Sequence, residues 1–480
     1  MLRQDLFSAK QDRIIRSNTG YTSLILLAAV LGTIAAGYLV ATGRYRWTAA
    51  LAAVSLVLRL LTRPELLLKF LSFLAPIYWL PFVPPTTYES FRDVLFLAFF
   101  VALAFGLFTH KLKFEELPKD SGLKFITLFL IAMIPSVLIS PSFWRSSVIW
   151  LRALQAGLFY VGLLLVLDRE QQIRQLLVLF MLGQLLSVGV LWLETISVAL
   201  GVSPPWTIPF TLYKFGRGEL GLSYRRTAFA NTTAHVLPIV LELALARRGT
   251  ARVIGISTAV LTLGAIVVSR GRAGLIAALV VIYLVIWKRS RYYAMVLLIV
   301  AVVIAFIFPS LIRHLFVTSR EWIYAAEGLR RYDRLLGGRI AMFISAIELI
   351  KAHPFFGAGL GSFRSTLEYL ESLKTFRLDR PQACVVHNLY LQVGSESGII
   401  AALALITFMI WALHKGWKAF QAFPEQSFAS VLFGVLAAQF VTSLFEVEIL
   451  WTIMRAFPFW IALTGIVKFY APKAQLEHQQ

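Results

Sequence analysis

Cysteine is all but absent from this 480-residue chain: Cys384 stands alone, so no disulfide closes within it and no cysteine cage holds a metal. Charge is scarce as well, at 15% of residues, against about 25% in ordinary globular domains. The sequence has no D-x-D, H-E-x-x-H or Walker-type motif, the usual marks of metal-assisted or nucleotide chemistry. Ten-residue alternating segments are missing too, which argues against a transmembrane β-barrel. No A-x-A-like cleavage site precedes the first apolar run, so the first helix is expected to be retained.

What the chain has instead is apolar surface. Hydrophobic residues make up 58%, with a mean hydropathy of +0.74. Apolar runs recur near 21–41, 47–61, 66–83, 91–109, 123–140, 148–167, 173–200, 232–247, 251–268, 273–287, 293–309, 388–413, 428–446 and 449–470. Most are long enough to cross a hydrocarbon core of roughly 30 Å as a helix, and backbone in lipid must be satisfied within each segment. The expected fold is all-α: a polytopic membrane bundle of fourteen helices, or twelve if the short spans merge. The net charge of +21 would suggest nucleic acid for a soluble protein. Here most Lys and Arg sit in short loops, where they orient helices against the lipid bilayer, and no nucleic-acid partner is expected.

With the amino terminus placed in the cytoplasm, the inner segments carry 23 Lys/Arg and the short outer loops 11, in the sense of the positive-inside rule. Both termini then face the cytoplasm. The expected organisation is eleven membrane helices over 1–309, an external segment over 310–387 and three more over 388–480. The external segment holds two stretches with helical apolar spacing, "REWIYAAEGLRRYDRLL" and "RIAMFISAIELIKA", parted by Gly337-Gly338, and reads as two amphipathic helices. "GAGLGSF" follows, with Gly357, Gly359 and Gly361. No strand precedes it, so it reads as a turn or a close backbone approach, not a nucleotide loop.

Polar residues gather at one end of this scheme. "VVHNLYLQVGSESGII" sets His387, Asn388, Gln392 and Glu396 at the mouth of an apolar span. A histidine there often only marks the interface. Ionisable residues in membrane helices nevertheless read as functional by default, and histidine is suited to proton transfer near neutral pH. "VVSRGRAGLIA" places Arg270 and Arg272 in an outer turn, and "YRRTAFANTT" does the same for Arg225 and Arg226, ahead of a helix capped by Asn231 or Thr232. Positive charge is disfavoured outside, so these arginines need a reason beyond orientation, and a bound polyanion supplies one. Arg339, at the head of the second external helix, joins them. Glu446 and Glu448 in "FEVEIL" lie at another outer turn, as a cation site or as support for a base.

"SRGRAGLIA", an arginine before a helix ending in "HPFFGAGLGSF", and "HNLYLQVGSESG" entering a membrane helix together resemble the O-antigen ligase and polymerase superfamily of bacterial GT-C type glycosyltransferases. The resemblance runs over about Ala228 to Ile400, with a core near 228–410. It implies an undecaprenyl-diphosphate-linked glycan as donor and a glycan or lipid A core hydroxyl as acceptor. It also implies a site facing the periplasm or cell exterior from the cytoplasmic membrane, with no metal and no cofactor. Position by position it implies catalytic roles for Arg270, Arg339 and His387. Arg225, Arg226, Arg272, Asn388, Gln392 and Glu396 are the expected substrate contacts. The family's N-P-N is here "ANTTA", Ala230 to Ala234. A membrane transporter is the competing reading; the sequence shows no inverted repeat of the kind transporters use.

Overall fold

The computed structural model describes residues 63–77, 85–201, 226–246, 249–269, 271–307, 339–363, 385–423, 427–447, 453 and 455–472. The expected spans near 21–41 and 47–61, the stretch 320–336 and residues 364–384 lie outside the described residues. Among the described residues the structure is helical, without strands. The helices are α1 (Pro64–Leu74), α2 (Pro85–Phe108), α3 (Leu123–Leu138), α4 (Phe143–Val166), α5 (Glu170–Ala199), α6 (Arg226–Ala246) and α7 (Thr250–Ser269). They continue as α8 (Arg272–Arg289), α9 (Arg291–Ile307), α10 (Arg339–Ala352), α11 (Leu389–Ala422), α12 (Ser427–Ser443) and α13 (Phe457–Gly465), which passes into a π-helical turn, Ile466–Tyr470.

Five helices, over Phe143–Val166, Glu170–Ser197, Thr227–Leu245, Arg252–Ser269 and Leu389–Ala422, are long and apolar enough to cross a membrane. Shorter apolar helices accompany them. The protein is a multi-pass membrane helix bundle.

Lipid offers no hydrophobic drive between helices, so close packing needs small side chains. The contact of α6, α7, α8 and α12 is built that way, from Ala230, Ala234, Ala277, Ala278 and Ala438 with Leu237, Ile266 and Val281. At Gly274 the backbones of α8 and α6 touch: a methyl there would lie 2.4 Å from the Ala230 carbonyl carbon. This fixes the N-termini of α6 and α8 at one end of the bundle. The opposite end is marked by Lys288, late in α8, whose ammonium donates to the Phe423 carbonyl (3.0 Å) and to the Ser430 hydroxyl. Chain direction then puts the start of α11 and the end of α12 at the same end as the heads of α6 and α8.

The apolar run read as one span, 388–413, is a helix of 34 residues, Leu389–Ala422, broken once at Gly398 (φ 83°, ψ 173°). "HPFFGAGLGSF" is what breaks it. Ala358 N–H donates to the Ser395 carbonyl (2.9 Å) and Gly359 N–H to the Glu396 carbonyl (3.1 Å), while Ile399 N–H donates to the Pro354 carbonyl (2.8 Å). Leu360 N–H takes the Ser136 carbonyl of α3 (3.0 Å). The inserted loop satisfies the polar groups the break frees, the condition for irregular backbone inside a membrane protein. Its glycines are there for space and for positive φ: a methyl on Gly357 would sit 2.3 Å from the Glu396 carbonyl carbon, and one on Gly398 would sit 2.0 Å from the Phe355 oxygen.

Gly398→Ala is therefore expected to cost at least about 2 kcal/mol, a left-handed alanine plus a backbone clash. Gly189→Ala, where nothing lies within 4 Å, should be neutral. Thermal unfolding of the two solubilised variants checks the contrast, and equal midpoints would contradict it.

Candidate active site

Four helices, α6, α8, α9 and α10, open on an arginine, and none carries an acidic residue in its first turn. That arrangement runs against the helix dipole, whose positive end prefers carboxylates. Arg272 heads α8 after Gly271, which offers no side-chain cap. It lies within electrostatic range of Arg339, the first residue of α10. Burial pushes the Arg339 guanidinium below its ordinary pKa and Glu446 counteracts that; it remains a cation.

The carboxylate of Glu446 joins the basic groups. Arg339 Nη2 lies 3.4 Å from Glu446 Oε1, and His387 Nδ1 lies 3.3 Å from Glu446 Oε2. Glu446 side-chain exposure is 11%, that of Arg339 16%, and that of His387 36%, so the histidine is the open member of the three. A carboxylate only accepts, so Nδ1 carries a hydrogen, and in the neutral imidazole Nε2 is then the nitrogen with the lone pair. Arg339 also stands over the Phe445 ring, 5.8 Å from its centre.

Local structure holds His387 there. It precedes α11 and has φ +56°, a left-handed conformation that costs an L residue about 1–2 kcal/mol. Both neighbours are tied down. Val386 N–H donates to Gln392 Oε1 (2.7 Å). Asn388 caps α11 by accepting from Leu391 N–H (2.9 Å), and its Nδ2 donates to the Leu444 carbonyl (3.0 Å). That last bond links the head of α11 to the turn that presents Glu446.

The residues singled out in the sequence thus fall into groups. Arg339, Arg272 and His387 meet at one end of the bundle, with Asn388 as the clamp beside them. Gln392 and Glu396 are 1% and 2% exposed and are occupied with backbone. Gln392 holds Val386, and Glu396 accepts from Phe363 N–H at the end of the inserted loop (3.1 Å). Arg225 and Arg270 lie outside the described residues, as does the side chain of Arg226. The cap expected at Asn231 or Thr232 is not used. Helix α6 begins earlier, at Arg226, so these residues lie inside it, where Thr232 and Thr233 return their hydroxyls to the Ala228 and Phe229 carbonyls. Glu446 was visible in sequence only as one of two acids at an outer turn. Its pairing spans 59 residues to His387 and 107 to Arg339, beyond any local pattern.

A basic, partly open site with an oriented histidine thus lies at one end of the membrane bundle. Residues 257–406, from α7 to the middle of α11, match the family model described as O-antigen ligase. The match covers just under a third of the chain and supports an O-antigen ligase-type membrane enzyme. Among curated proteins, no sequence matches the chain.

Proposed function

We propose that the protein transfers a glycan from an undecaprenyl-diphosphate-linked donor to a hydroxyl of a glycan or lipid A core acceptor, at the outer face of a bacterial cytoplasmic membrane. The observation that carries this reading is the Glu446 carboxylate shared between His387 and Arg339. It supports a base held in one tautomer beside a cation, which is what hydroxyl attack with an anionic leaving group requires. In the reaction the acceptor oxygen bonds to the anomeric carbon and the carbon–oxygen bond to the diphosphate breaks. The lipid diphosphate leaves with the electron pair, and His387 Nε2 takes the hydroxyl proton. Arg339 and Arg272, with Arg270 from the same turn, neutralise the charge that develops on the diphosphate, the part a metal ion plays in other phosphate chemistry. The proposed enzyme is of GT-C type and metal-independent. Arg225 and Arg226, next to each other in sequence at the start of α6, are further candidates for donor contacts, and Asn388 keeps the histidine in place.

The test is transfer by the purified full-length protein with a lipid-diphosphate glycan in the presence of a chelator. Glycan transfer with release of undecaprenyl diphosphate is the expected result. Movement of an intact solute across a sealed vesicle without bond cleavage would make the protein a transporter. For the orientation, a cysteine introduced at Ser372 in a Cys384→Ser background should react with an impermeant maleimide in spheroplasts. Labelling only after lysis would place the site on the cytoplasmic side.

A further inference from the structure

One buried acid stands apart from the residues named so far. Glu194, 7% exposed, is the only ionisable side chain of α5 after Arg174, and an ionisable residue inside a membrane helix is costly enough to be functional by default. Packing against α6 and α7 sets its level. Gln184 Nε2 donates to Thr233 Oγ1 (2.7 Å). Val188 and Leu191 share a buried cluster with Phe229 and Ala265, and Trp192 Nε1 donates to the Leu261 carbonyl (3.1 Å). Helix α5 therefore runs toward the mouth as α6 runs away from it, and each step beyond Gln184 on one matches a step before Thr233 on the other. Val188 stands opposite Phe229, Leu191 opposite Arg226, and Glu194 about 4.5 Å further out.

Helix geometry closes that offset. Side chains lean toward the N-terminus of their own helix, which is inward for α5 and outward for α6. Leu191 and Glu194 are i and i+3 on α5; Arg226, Phe229 and Thr233 are i, i+3 and i+7 on α6, so the acid and the arginine occupy facing stripes of one helix contact. An arginine that opens a helix works against the helix dipole, and α6 has no acid in its first turn, so its counter-charge has to come from a neighbouring helix. The level is that of the mouth. Gly274 of α8 meets Ala230 of α6, and both helices start at the same end, which sets Arg272 level with Ala228, about 3 Å below Arg226. Arg272 in turn lies within electrostatic range of Arg339.

We infer that Glu194 is the counter-acid of Arg226 and acts as a positioning residue: it holds one edge of the guanidinium and leaves the remaining N–H donors to the anionic group of the donor. The positioning role rests on the transferase reading; the ion pair does not.

The experiment is a double-mutant cycle on the full chain in lipid nanodiscs, read first by thermal unfolding and then by transfer from a lipid-diphosphate glycan. Removing one partner of a buried pair strands the other, so Glu194→Gln and Arg226→Gln should each lower the midpoint, and the double variant should unfold no lower than the worse single. Should Glu194→Gln fail to fold alone, recovery on adding Arg226→Gln supports the pair, and no recovery overturns it. Additive losses overturn it too, as does coupling of Glu194→Gln to Arg270→Gln in place of Arg226→Gln. In the transfer assay Glu194→Gln should raise the donor KM by about 10–100-fold, the loss of one hydrogen bond to a charged group, with the acceptor KM unchanged and most of the effect restored in Glu194→Asp. A merely destabilised protein would lose active enzyme and keep its donor KM, and that result overturns the positioning role. Coupled midpoints in a protein that transfers no glycan would discard the transferase and keep the ion pair.

Discussion

His387→Ala should lower the glycan-transfer rate by about 10²–10⁴-fold, the usual loss when a general base is removed, while the protein stays folded and membrane-inserted. The fold is expected to survive because His387 is the most exposed member of its cluster and the start of α11 is capped by Asn388, not by the histidine. Removing a left-handed non-glycine residue also relieves little that the helix depends on, and His387→Gly should be at least as stable as His387→Ala. Glu446→Gln separates the roles further. It keeps size and hydrogen bonding but gives up the charge that fixes the Nδ1–H tautomer, so it should lower turnover while leaving donor affinity nearly intact. The rate constant and donor KM, measured together, check this; a variant of His387 with the wild-type rate would remove it from the chemistry.

Arg339→Ala should cost about 10²–10³-fold in rate, the scale for loss of one preorganised group that stabilises developing negative charge. Arg339→Lys should recover only part of it. Both keep or lose a charge in the same place, yet lysine cannot present the planar fork that meets diphosphate oxygens on one edge and Glu446 on another. The alanine variant also leaves the buried Glu446 carboxylate without its cation, so its effect combines lost binding with an unpaired acid. A double-mutant cycle with Glu446→Gln resolves the two. If Arg339→Ala damages activity only through the stranded acid, the double variant regains most of the rate; if Arg339 holds the donor, it does not. Full activity in Arg339→Ala would take the residue out of the site.

The membrane class was legible from composition alone, because apolar runs of helical length have one stable form in lipid. So were the two clearest local signals. A histidine and asparagine at the head of a span became the strained residue and cap that begin α11. An arginine before "IAMFISAIELIKA" became the head of α10. Periodicity and end chemistry are local properties, and sequence carries local properties well.

Other features could not be read that way. "GAGLGSF" looks like a turn in isolation. Its function as the wedge in α11 at Gly398 depends on carbonyls of Ser395 and Glu396 some 37 residues later, and only packing brings them together. Glu396 has the chemistry of a site residue and the position of a brace, since burial gave its carboxylate to the Phe363 amide. Asn231 has the chemistry of a cap and sits in a buried helix interior.

What the sequence by itself determined is that this is an all-helical, multi-pass membrane protein with its reactive residue types gathered at helix ends. The tertiary structure alone decided that Glu446 ties His387 to Arg339 and that Gln392 and Glu396 hold backbone. The physical reason is one of range. Helix formation and membrane insertion are set by residues within a few turns of one another, whereas a site is made by side chains that meet only after α6, α8, α10, α11 and α12 have packed.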